Sequence, residues 1–77
     1  MPRYFFDIDD GTAAMRDTEG SELADPASAQ HEAIETLTQM ARDTFSATNG
    51  AAYSIVIRDE DDLVLRRLRL ALSIEAG

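Results

Sequence analysis

A chain of 77 residues with no cysteine and a formal charge of −8 is one small domain, over residues 1–77, that no disulfide or thiolate-bound zinc can staple. All seven of its cations are arginines, set against fifteen acids, and that field repels phosphate backbones and anionic lipid. Binding of nucleic acid or a membrane by the chain alone is therefore disfavoured, whereas a basic protein partner would be attracted.

The opening Met1-Pro2-Arg3 has no signal-peptide pattern, and no apolar run nears the roughly 20 residues that span a bilayer, so a cytoplasmic protein is expected. Arg3 to Asp9, rich in aromatic and β-branched residues, predicts a first strand with Tyr4, Phe6 and Ile8 on one face and Arg3, Phe5, Asp7 and Asp9 on the other. Asp10-Gly11 is a hairpin signal, Thr12 to Asp17 a weaker return strand, and Thr18-Glu19-Gly20 a turn in which Gly20 suits a positive φ. Asp25 is placed to cap a helix that Pro26 opens, because the first helical position needs no amide donor. Ala29, Ala33, Ile34, Leu37, Met40, Ala41, Thr44 and Phe45 recur at spacings of three and four along that helix, and Asn49-Gly50 supplies its stop. Ala52 to Arg58 predicts a third strand with Tyr53, Ile55 and Ile57 on one face. Asp59 to Asp62 is a turn, and Leu63 to Leu72 a long fourth strand in which Leu68, Leu70 and Leu72 alternate with Arg67 and Arg69.

The order β-β-α-β-β predicts an α+β two-layer sandwich, one helix on a four-stranded, mainly antiparallel sheet. Placing the third strand beside the first gives the spatial order 2-1-3-4, and 1-2-3-4 with a parallel pair is the alternative.

The acids invite a test for metal. An EF-hand loop with Gly11 at its sixth position would begin on Phe6 and carry Ile8 third, and one with Gly20 there would begin on Met15 and end on Pro26. Both registers fail, and turn-forming, solubilising acids are the expected reading. His31 is the only histidine, with no nucleophile and orienting group legible around it, and it reads as a surface residue. The glycine patterns of nucleotide sites and of serine hydrolases are absent from the sequence. We therefore expect no catalysis, no metal and no cofactor.

The most informative surface is the sheet face that one helix cannot cover. It would show Arg3, Phe5, Val56, Arg58, Arg67 and Arg69, arginines interleaved with an aromatic and a β-branched residue. Arginine and aromatics are enriched in protein interfaces, so self-association or a protein partner is one reading and a solvated face the other. Aromatic-and-basic sheets also bind single-stranded RNA, but a lone ring in an acidic chain argues against it. The fourth strand, an expected edge, adds a route to a dimer by strand pairing, and a core this small leaves oligomerisation as a source of stability.

The segments Met1-Pro2-Arg3-Tyr4-Phe5-Phe6, Asp10-Gly11 and Asp17-x-Glu19-Gly20-x-Glu22-Leu23, followed by an alanine-rich helix, resemble a family of short, mostly alphaproteobacterial proteins of unknown function. That family often has histidine after the phenylalanine pair where this chain has Asp7, and it brings no established activity. The order of elements is also similar to the N-terminal domain of HicB-type antitoxins, which implies, as an alternative, a regulatory binder of a small basic toxin. The proline-aspartate-leucine-proline-glycine segment of those antitoxins is missing here. The expectation is a small non-catalytic module that self-associates or binds a protein partner.

Overall fold

The computed structural model describes residues 1–44 and 52–77. Its elements in chain order are β1 (Arg3–Asp9), β2 (Ala14–Met15), β3 (Ser21–Glu22), α1 (Pro26–Thr44), β4 (Ala52–Arg58) and β5 (Val64–Ala71). One helix packs on one face of an antiparallel sheet ordered β2-β1-β4-β5, with β3 also on β1. The order expected from the sequence is formed, since β4 and β5 are the predicted third and fourth strands.

The return strand is the main departure. Only Ala14–Met15 pair with β1 near its end, and Ser21–Glu22, which the sequence pattern did not single out, pair near its start through Arg3↔Glu22 and Tyr4↔Ser21. Because β4 holds the other side of β1, from Phe5↔Arg58 to Asp9↔Ser54, β2 and β3 are two halves of one interrupted edge. The gap has a physical cause. At Phe6 the N–H of β1 donates to Asp17 Oδ2 at 3.0 Å, so a side-chain carboxylate stands where a continuous strand would offer a carbonyl. The hairpin at the other end is closed by Asp10, whose Oδ1 accepts from the N–H groups of Thr12 and Ala13, with Gly11 at φ 92°.

The helix starts where Asp25 and Pro26 place it. Asp25 Oδ1 accepts the Ser28 N–H at 2.8 Å, satisfying one of the four amides a helix leaves unpaired at its start. The expected stop at Asn49-Gly50, like Phe45, lies outside the described residues. Ala29, Ala33 and Leu37 are buried against Tyr4, Tyr53, Ile55 and Ile57, with Phe6, Ile8, Leu23, Met40, Leu65, Leu68 and Leu70 packed around them, and Ala41 is buried further along the helix. Three of the four buried helix positions are alanine, which lets the backbone of α1 approach the sheet closely. Ile34, placed on the apolar stripe by its spacing, is instead 47% exposed at the border of the helix.

A register shift between Ile57 and Arg58 makes Leu65 an extra residue in β5, opposite no single partner. The bulge turns Leu65 toward the core while Arg66 reaches Gln30 of α1. It also lets Val64 lie opposite Arg58, on the far face.

The close approach of α1 is directly testable. Ala33→Leu is expected to lower stability by about 2 kcal/mol, because no space receives the added carbons. Ile34→Leu, one position further, is expected to change it by less than about 0.5 kcal/mol. Urea unfolding of both variants measures the contrast.

Candidate functional site

On the face away from α1, the register lays side chains in three rows across the strands. Phe5 lies opposite Arg58 and Arg58 opposite Val64; Asp7, Val56 and Arg67 form the second row; Asp9, Ser54 and Arg69 form the third. Five of the residues singled out from the sequence, Phe5, Val56, Arg58, Arg67 and Arg69, thus share one face. Arg3 begins the same face, but its guanidinium turns to the β3 edge, donating to Glu19 O at 2.9 Å and Glu22 Oε1 at 3.2 Å.

Arg58 departs from the expected picture of an open arginine face. It is only 7% exposed, the one charged residue in the core region among those described. Its Nε donates to Asp7 Oδ2 at 2.6 Å and its Nη2 to Asp7 Oδ1 at 2.9 Å, a two-pronged pairing that suits the planar guanidinium. Nη2 also donates to the carbonyl of Asp17 at 2.9 Å and Nη1 to Asp62 Oδ1 at 2.8 Å. Its flat face lies over Phe5, 5.1 Å from the ring centre. Arg58 therefore ties β4 to β1, to the interruption of the edge at Asp17 and to the turn after β4.

The acids around it are equally committed. Asp7 Oδ1 accepts the Asp17 N–H at 3.0 Å, and Asp17 Oδ1 accepts the N–H groups of Glu19 and Gly20, folding the loop over β1. Asp62, at a left-handed φ of 65°, also takes a bond from Arg16 at 2.9 Å. Gly20 closes the arrangement at φ 73°, where a Cβ would stand 2.8 Å from Arg3 Cγ and 2.9 Å from Phe5 Cε2. The Glu60 carboxylate accepts the Arg3 N–H at 2.9 Å, fastening the turn to the start of β1.

These bonds hold the carboxyls ionised. The hydrogen bonds from Arg58 hold Asp7 below the usual carboxylate range. Burial pushes Asp17 up, but the amides of Gly20, Phe6 and Glu19 outweigh it and the net displacement is downward. Bonds from Arg16 and Arg58 lower Asp62 as well, and Arg58 itself is pushed further up, chiefly by Asp7.

Nothing comparable surrounds His31, which stands on an exposed part of α1 and meets Glu35 one turn on at 3.1 Å. Among the described residues no group of three or more His, Asp or Glu side chains could hold a metal ion, and no helix is long and apolar enough to cross a membrane. A hollow of about 330 Å³ opens beside the second and third rows, lined by Asp7, Asp9, Met15, Arg16, Ser54 and Val56 among others. It is an open surface depression rather than an enclosed binding cavity. Arg67 and Arg69 remain exposed, and among the described residues no ion pair or hydrogen bond engages their side chains.

Residues 3–71 match a family described as a domain of unknown function, DUF6894. The chain belongs to this family. No curated protein and no solved structure matches it. The DUF6894 region takes in all six elements, from the first residue of β1 to the last of β5, and so contains both Arg58 with its acids and the open arginines of β5.

Two outcomes test the Arg58 cluster. Asp7→Ala leaves a buried guanidinium without its two-pronged partner and is expected to cost about 3 kcal/mol, roughly a 15 °C drop in Tm. Acid should act in the same direction. The folded chain holds Asp7 and Asp17 below their unfolded values of about 3.9, so over that interval it binds fewer protons than the unfolded chain. Their contribution is complete above roughly pH 5 and is lost as pH falls through the lowered values. Urea midpoints between pH 7 and pH 2 should show this, with a shallower acid loss in Asp7→Ala than in the unaltered chain.

Proposed function

We propose that this protein is a small non-catalytic module that acts by binding a protein surface, through the sheet face that α1 leaves uncovered and the adjoining edge of β5. The observation that carries this reading is the contrast between arginines on one face. Arg58 is consumed by Asp7, Asp17 and Asp62, whereas Arg67 and Arg69, two positions apart on β5, are exposed and unengaged among the described residues. Guanidinium groups held along a strand beside Val56 and Val64 combine the flat, multiply donating chemistry and the apolar ground that protein interfaces favour.

The acidic groups support a non-catalytic reading. Asp7, Asp10, Asp17, Asp25 and Asp62 each accept hydrogen bonds that keep the carboxylate ionised, the reverse of the raised carboxyl a general acid needs. Their work is to form turns, cap the helix and hold Arg58.

A photo-crosslinking residue placed at Arg69 is expected to give a discrete protein adduct at native concentration, and the same residue at Glu35, on the exposed side of α1, is expected to give none. Equal adducts from the two positions, or none from Arg69, would contradict the proposal.

A further inference from the structure

β5 ends the described sheet, with β4 on one side and no described strand on the other. A free edge of eight residues is a template for another strand unless something blocks it. Here the alternation of β5 continues beyond the strand itself. Leu68, Leu70, Leu72 and Ile74 interleave with Arg67, Arg69, Ala71, Ser73 and Glu75, yet the last pair with β4 is Ala52↔Ala71. Residues 72–77 carry no secondary structure, and Ile74 is 64% exposed. An amphipathic strand pattern thus runs four residues past the sheet that could support it.

The edge offers two different surfaces. On the helix side, α1 and β5 leave an apolar groove of about 280 Å³ lined by Ile34, Leu37, Thr38 and residues 68–70, with Ile34 47% exposed at its border. On the other side stand Arg67 and Arg69. A strand that pairs here must carry apolar side chains on one face and acids on the other, and residues 72–75 of this chain have that pattern.

We propose that β5 pairs with β5 of a second copy, antiparallel about a two-fold axis at Ala71, so that each copy's residues 72–76 extend along the other's free edge. This rests on the reading that the protein acts through a protein surface, and it names the partner. The choice of axis follows from charge and pattern. Axes at residues 67, 68 or 69 set arginines directly opposite one another, which is destabilising. An axis at Leu70 opposes Ile74 to Arg66. An axis at Ala71 sets Glu75 opposite Arg67, Ile74 opposite Leu68 and Leu72 opposite Leu70, each twice by symmetry. An axis at Leu72 still pairs Glu75 with an arginine, Arg69, but opposes only three pairs of large apolar side chains where Ala71 opposes four. The exposed Ile74 and the half-buried Leu72 then lie along the groove beside Ile34.

Two joined strands and the two grooves they fill form a small interface, roughly 1,000 Å², so dissociation is expected in the micromolar range. Sedimentation of the full chain at about 100 µM should show a dimer. Glu75→Arg and Arg67→Glu should each weaken it about tenfold, and the two together should restore it to within about threefold. All three residues involved, Arg67, Ala71 and Glu75, are exposed, so the variants should keep the fold. Because the chain has no cysteine, Ala71→Cys alone should oxidise to a covalent dimer across the axis, whereas Leu72→Cys should not. A monomer at that concentration, a dimer indifferent to the charge reversals, or crosslinking through Leu72→Cys instead would overturn the proposal. A monomer whose Arg69 position still captures a different protein would do so while leaving the preceding functional reading intact.

Discussion

A buried guanidinium must be surrounded by acceptors, and meeting that requirement at Arg58 organises one half of this molecule. The side chain ends the innermost strand and is 7% exposed, so each N–H it turns inward has to find an oxygen. Asp7 supplies two from the neighbouring strand, Asp17 a backbone carbonyl from the interrupted edge, and Asp62 a carboxylate from the turn that follows. Three other stretches of chain converge on one residue. The split of the edge into β2 and β3, the left-handed Asp62 and the closeness of Gly20 to Phe5 all belong to this arrangement.

Much of the architecture was legible because it rests on periodicity and local stops. The period-2 alternation of β1 and β4 and the Asp25-Pro26 start correspond to observed elements, and β1 and β4 have the predicted limits. The strand order was legible because a helix between two hairpins most simply returns the chain beside the first strand. What escaped was set by side-chain chemistry at long range. Sequence pattern puts Asp17 at the end of a return strand, whereas its carboxylate takes the place of a strand by accepting the Phe6 N–H. Alternation alone places Arg58 on the exposed face, because it reports the side of the sheet and not what covers it. The sequence does hold a signal for this pairing, an acid at Asp7 between the apolar Phe6 and Ile8 and an arginine closing the most apolar strand. Recognising it required the register that sets Phe5, not Asp7, directly opposite Arg58.

The same chemistry divides the charges of the molecule into two populations. Acids near Arg58 and in the turns are bound to backbone amides and guanidinium groups, so a net charge of −8 overstates how many are free to meet a partner. Three of the seven arginines fall within four residues of β5, and Arg67 and Arg69 among them stay open. An acidic protein thus carries a cationic strand at the border of its sheet. That local reversal, rather than the overall charge, is what a binding reading must account for.

The central claim is that Arg58 holds the outer loop to the sheet locally, as distinct from adding a general increment of stability. Amide hydrogen exchange in Arg58→Met separates the two. The account predicts that the N–H groups of Phe6, Asp17, Gly20 and Leu23 lose their protection, while those of Ile55 and Ile57 in the centre of the sheet slow exchange nearly as before. Retention of protection at Phe6 and Asp17, or a uniform loss across all six amides, would contradict it.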